Sequence, residues 1–109
     1  MKKLMIIAAL VLPAPAMAID ADVFQFALAT GRYIANAKGC GGLDNEWQLK
    51  FKSAMLLVNL KFGRAASDEF SSTVVTDANI VPPCNRDRLL ETRNEQARLD
   101  MQIRTGVPQ

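Results

Sequence analysis

The first 18 residues restrict what this 109-residue chain can fold into, because they carry the three parts of a cleavable secretory signal peptide. Two lysines are followed by an apolar run, Leu4 to Leu12, and by a small-residue cleavage site that ends at Ala18. An apolar run of nine residues is too short for a bilayer, which requires about 20. We therefore expect removal of residues 1–18, no stable membrane span after cleavage, and one domain over residues 19–109 in the periplasm.

Cys40 and Cys84 are the only two cysteines of the chain. In an oxidising compartment, an even pair of cysteines is most simply one disulfide. We expect this bond to be structural, because the two residues do not form a Cys-x-x-Cys motif. A disulfide that closes the loop from residue 40 to residue 84 stabilises a fold by roughly 4 kcal/mol when only chain entropy is considered. The sequence therefore predicts that the regions around the two cysteines meet.

Hydrophobic periodicity predicts an all-α domain, a small three- to four-helix bundle closed by one disulfide. A first helix is expected over Ala21 to Lys38, and it is apolar around most of its circumference, which indicates burial on more than one side. A last helix is expected over Arg86 to Arg104, with Asn85 as its N-cap. If four helices alternate in direction, the two cysteines lie at the same end of the bundle.

The segment Ser67 to Val81 carries two opposing signals. Four apolar residues repeat at helical spacing: Phe70, Val74, Ala78 and Val81. Residues 71–76, by contrast, are rich in serine and in the β-branched side chains typical of strands. A single strand has nothing to pair with in an otherwise helical domain. We therefore expect a short helix here, and an extended segment is the alternative.

A second long helix is expected to begin near Asp44 or Asn45 and to run through Gly63 to Ala66. Asn45 and Gln48 have the spacing of a capping box at its start. The residues of this helix form two apolar faces that lie about 180° apart. The wider face is the better candidate for the core and has six members: Trp47, Phe51, Ala54, Met55, Val58 and Phe62.

The narrower face of the same helix consists of Leu49, Leu56 and Leu60, spaced seven and four apart, and we call these residues the leucine stripe. Three basic residues form its rim: Lys50, Lys61 and Arg64. Two interpretations are open. In the first, the stripe is also core, because neighbouring helices cover both faces. In the second, the stripe and its rim bind a partner protein or a second copy of the chain.

Several classes of chemistry are disfavoured by composition. The chain has no histidine, and so it lacks the commonest general base and the commonest transition-metal ligand. A disulfide leaves no thiolate to bind zinc or an iron–sulfur cluster. Without its two signal-peptide lysines, the chain has 11 basic and 11 acidic residues, which gives no basic excess for nucleic acid. We expect no catalytic residue, no cofactor, no metal site and no nucleic-acid partner.

These features favour a small exported, non-enzymatic protein that acts by binding another protein in the bacterial cell envelope. Its role would be that of an accessory subunit, an inhibitor or immunity protein, or a chaperone-like factor. The alternative is a carrier of a small hydrophobic ligand, in which Trp47, Phe51 and Tyr33 line a pocket between helices.

Overall fold

The computed structural model describes residues 21–106, and the predicted signal peptide with its cleavage site lies outside the described residues. Within this range the chain forms four α-helices and one 3₁₀ turn, with no strand. The helices are α1 (Ala21–Gly39), α2 (Trp47–Phe62), α3 (Arg64–Ala78) and α4 (Arg86–Thr105), and the 3₁₀ turn is Gly41–Leu43. The predicted all-α bundle is therefore confirmed.

α1 is the central helix of the bundle, because it packs extensively against both α3 and α4. Eleven of its 19 residues are buried, as its apolar circumference predicted. Gly31 permits a close approach to α3, since a Cβ at this position would lie 2.6 Å from Asp77 Cβ. The absence of a side chain at one position thus sets how closely the two helices pack.

α2 is an outer helix of the same bundle. It packs mainly against α3 and has a smaller contact with α1. Phe70 of α3 connects the three helices, because its ring centroid lies 5.2 Å from that of Phe26 in α1 and 6.4 Å from that of Phe51 in α2. α2 therefore presents one face to the core through α3, and within residues 21–106 no helix covers the leucines of its opposite face.

The second helix ends earlier than its sequence pattern predicts. α2 stops at Phe62 and α3 begins at Arg64, so the expected continuation through Gly63 to Ala66 is wrong. Gly63 has a φ of 96° and a ψ of 174°, a conformation that side-chain-bearing residues rarely adopt. A single glycine thus divides the predicted helix and lets the chain turn back along itself.

The ambiguous third segment is helical. α3 starts three residues before the predicted Ser67 and ends at Ala78, with Phe70 and Val74 fully buried. Tertiary packing of this apolar face outweighs the strand propensity of residues 71–76. The predicted short helix is confirmed, although its last expected residue, Val81, lies beyond the helix end and is exposed.

The disulfide joins the end of α1 to the start of α4, at one end of the bundle, as the sequence predicts. Cys40 directly follows α1, Cys84 lies just before α4, and the two are bonded with their Cα atoms 4.5 Å apart. The predicted cap of α4 is also present, since the backbone N–H of Arg88 donates to Asn85 Oδ1 at 3.0 Å. No helix within residues 21–106 combines the length and apolar character needed to cross a bilayer.

Candidate interaction surface

The inner face of α2 is built from the wider of its two predicted apolar faces. Ala54 and Val58 are fully buried, and Trp47, Phe51 and Met55 are half-buried against the core. Phe62, in the last turn, is largely outside the core at 41 % exposed. Leu57, which the sequence analysis did not place on either face, is buried as well. The wider apolar face is thus the one that holds α2 in the bundle.

The leucine stripe lies on the outside of α2. Leu49 is 70 % exposed, Leu56 is 62 % exposed and Leu60 is 82 % exposed. The first of the two sequence-level interpretations, in which the stripe is also core, does not describe this domain. Three leucines with this exposure on one helix form a surface that water solvates poorly.

The predicted basic rim lies beside the stripe, although its members differ in their contacts. Lys50 is half-buried, whereas Lys61 and Arg64 are exposed. Lys61 Nζ donates to the backbone carbonyl of Arg104 at 3.1 Å, which links the end of α2 to the end of α4. Arg64 is the first residue of α3, and it lies 3.9 Å from Asp68 of the same helix in a solvent-exposed ion pair. α2 itself carries three lysines and no acidic residue.

A groove runs between α2 and α4 beside the stripe and encloses about 410 Å³. Its walls consist of Leu49, Lys50 and Ser53 from α2, and of Gln96, Ala97, Asp100, Met101 and Arg104 from α4. We call these residues the α2–α4 groove. It is open to solvent, and it brings the N-terminal end of the leucine stripe next to a second helix.

Met101 gives the groove a second large apolar side chain. It is 59 % exposed, and it lines the groove together with Leu49 from the opposite helix. Asp100, its neighbour, is occupied by an ion pair with Arg104 at 3.0 Å. Met101 is not among the residues predicted from the sequence, because no sequence signal indicates that α4 runs beside the outer face of α2.

Gln96 is the most buried residue of the groove. It is 2 % exposed, and its Nε2 is 3.5 Å from Thr30 Oγ1 on α1. Thr30 in turn donates to the carbonyl of Phe26 at 2.7 Å. This chain of contacts fixes α4 against the central helix, so the floor of the groove is held by packing rather than by a mobile loop.

A buried carboxylate positions the start of α2. Asp44 accepts a hydrogen bond from the Tyr33 hydroxyl at 2.8 Å and one from the backbone N–H of Glu46 at 2.9 Å. Arg93 of α4 lies 3.7 Å from the same carboxylate. Burial, and then the hydrogen bond to Asp44, raise the pKa of the Tyr33 phenol well above its ordinary value.

The predicted capping box does not form. α2 begins at Trp47, with Glu46 at the N-cap and no side-chain cap. Asn45 lies outside the helix, one residue before the N-cap, and so it does not have the capping-box relation to Gln48. The sequence predicts Asp44 only as a possible helix cap, and no local pattern indicates its contact with Tyr33.

The three residues named for a ligand carrier are engaged in the core. Tyr33 is fully buried and uses its hydroxyl on Asp44. Phe51 packs against Phe70, and the Trp47 ring has the Lys38 ammonium group 5.8 Å from its centroid. Each of the three therefore has a partner within the bundle.

The described residues contain no group of three or more histidine, cysteine, aspartate or glutamate side chains arranged to hold a metal ion. Both cysteines are in the disulfide. No protein-family model, no curated protein and no solved structure matches this chain.

Proposed function

We propose that this chain is a small exported, non-enzymatic protein that acts by binding another protein in the bacterial cell envelope through its leucine stripe. The observation that carries the proposal is the exposure of the stripe, between 62 % and 82 % for each leucine. The opposite face of the same helix packs against the core and keeps the helix in place. Contiguous exposed apolar residues with a charged rim are typical of protein-binding sites.

The position of the stripe supports this proposal. Isolated exposed apolar residues occur on most proteins and need no explanation. The three leucines differ from such residues because they align on one helix and adjoin a groove that contributes Met101. Burying these side chains against a partner would provide the apolar centre on which interface affinity depends.

Export to the periplasm is part of the proposal and rests on two supports. The sequence predicts a cleavable signal peptide over residues 1–18. The Cys40–Cys84 disulfide is compatible with an oxidising compartment. An accessory subunit, an inhibitor or immunity protein, and a chaperone-like factor would all use the same apolar surface, and they differ in how many partners it accepts.

A capture experiment with a matched control tests the proposal. Leu56→Asp places a charge in the middle of the stripe, whereas Ile80→Asp places the same charge at an apolar residue that is 73 % exposed and lies outside α2. We expect a tagged wild-type protein to retain one or a few envelope proteins from a periplasmic extract. Ile80→Asp should retain the same proteins and Leu56→Asp should lose them.

Two results would contradict the proposal. One is retention of the same envelope proteins by Leu56→Asp and by the wild type. The other is an equal loss with Ile80→Asp while both variants remain folded, because binding would then not depend on the stripe.

A further inference from the structure

We infer that the partner presents an amphipathic α-helix with acidic flanks, which lies along the leucine stripe and against the α2–α4 groove. This inference rests on the proposed function and specifies the chemistry of its partner. It follows from the spacing of the stripe, from the charges beside it and from the shape of the surface next to it.

The spacing of the stripe fits a helical partner. Leu49, Ser53, Leu56 and Leu60 follow one another at intervals of four, three and four residues, and all four are exposed. These are the intervals of the seam along which two helices pack knobs into holes. The seam spans 12 residues, and its first and last Cα atoms are about 16 Å apart along the helix axis, which is enough for three turns of a partner helix. Recognition of a helix through anchors at such intervals is a common mode of protein binding.

The charges beside the seam select an acidic partner. Lys50 and Lys52 lie on its two sides, about 100° and 60° from Leu49 around the helix. Neither lysine has a carboxylate within ion-pair distance among the described residues, whereas Arg64 and Arg104 are both paired. Carboxylates on a partner helix would face these two lysines across the seam, as in the flanking pairs of helix dimers.

The same charges disfavour pairing of α2 with α2 of a second copy. α2 has lysines at positions 50, 52 and 61 and no acidic residue, so either relative direction of two copies places only like charges along the seam. Like-charge contacts of this kind suppress association. A symmetric dimer through the stripe is therefore not the arrangement that the charges favour.

The groove favours a shaped protein partner over a lipid surface. A basic helix with exposed leucines is also a feature of proteins that lie on anionic bilayers. Here, however, the stripe continues into a concave space of about 410 Å³ whose second wall is α4. The side chains of a helix can enter this space and contact both of its walls, an arrangement that the planar surface of a bilayer matches less well.

Two synthetic helical peptides provide the test. Both carry the same leucine heptad seam, one has glutamate at every flanking position, and the other has lysine there. Neither pairs with itself, because its own flanks repel. We expect the purified exported protein, with its disulfide intact, to bind the glutamate peptide about ten-fold more tightly than the lysine peptide, as measured by fluorescence anisotropy at low salt.

Variants of the protein separate the contributions to binding. Lys50→Glu combined with Lys52→Glu should reverse the preference between the two peptides. Leu56→Asp should bind neither peptide. Ile80→Asp should behave as the wild type. Because Lys50 is half-buried and Lys52 is exposed, Lys52→Glu alone serves as a second variant that the fold tolerates, and it should reduce the preference.

Three results would overturn the inference. One is equal affinity for the two peptides. Another is binding to phosphatidylglycerol vesicles, lost in Leu56→Asp, with no binding to either peptide. The third is a stripe-dependent dimer in sedimentation, again without peptide binding. If Leu56→Asp still abolishes capture of an envelope protein, only the partner's chemistry is wrong and the proposed function stands.

Discussion

Tyr33 shows how one buried side chain connects the core to the start of the candidate surface. Its hydroxyl donates to Asp44, which also holds the turn that precedes α2. Removing the hydroxyl leaves a buried carboxylate with one partner fewer, which costs about 1–3 kcal/mol. The sequence could not indicate this contact, because the two residues lie 11 positions apart in different elements.

The raised pKa of Tyr33 makes the stability of the fold depend on alkaline pH. Unfolded tyrosine loses its proton near pH 10, whereas the folded protein retains it to higher pH. Above about pH 10 the folded state therefore binds more protons than the unfolded state. Its stability should fall as pH rises from about 10 towards the higher pKa of the folded state. Tyr33→Phe, although less stable at neutral pH, should lack this part of the pH dependence in urea unfolding.

The chain has a single tyrosine, so the absorbance of tyrosinate reports on Tyr33 alone. In the folded protein we expect no tyrosinate until well above pH 10, and in urea we expect ordinary titration near pH 10. Titration of the folded protein near pH 10, with circular dichroism unchanged, would mean that the phenol is not buried against Asp44.

At the scale of elements, the two faces of α2 should respond differently to the same substitution. Val58 is fully buried and Leu56 is 62 % exposed on the opposite side. Val58→Asp places an unpaired charge in the core, which should cost several kcal/mol and unfold a domain of this size. Leu56→Asp should change the stability by no more than about 0.5 kcal/mol. Circular dichroism during heating measures both variants.

If Leu56→Asp unfolds the domain as Val58→Asp does, the stripe is part of the core and carries no interface. Phe51→Asp is a useful intermediate case, because Phe51 is half-buried and packs against Phe70. We expect Phe51→Asp to melt at a lower temperature than Leu56→Asp, whereas Val58→Asp should show no folded baseline at all.

The elements of this fold could be predicted where apolar periodicity is strong. α1, α4 and the disulfide follow directly from the sequence pattern, and Phe70, Val74 and Ala78 correctly identified α3. The break at Gly63 was missed, because the apolar spacing of α2 continues up to that residue. Helical propensity alone does not show that a glycine will adopt a positive φ.

The candidate surface could be predicted only in part. The spacing of the leucine stripe places its three residues on one face, but their exposure depends on which helices lie beside α2. That arrangement is set by close packing of α1 on α3 and α4, which the sequence does not specify. For the same reason, the contribution of Met101 to the groove is visible only in the folded structure.

For the whole molecule, the disulfide should supply a large part of the stability. Cys40 and Cys84 are separated by 44 residues, and closing a loop of that length stabilises the fold by roughly 4 kcal/mol. Reduction, or Cys84→Ser, should therefore lower the melting temperature by an amount on the order of 20 °C. Added reductant should leave Cys84→Ser unchanged, which provides the control. Labelling of both cysteines in the native protein without reductant would show that the bond is absent.

We propose that the leucine stripe contacts an envelope protein. Site-specific photo-crosslinking in living cells tests this contact most directly. A photo-reactive side chain is placed at Leu60, 82 % exposed on the stripe, or at Ile80, 73 % exposed and outside α2. We expect a discrete adduct of higher mass from position 60 and none from position 80. The absence of an adduct at position 60, or the same adduct from both positions, would contradict it.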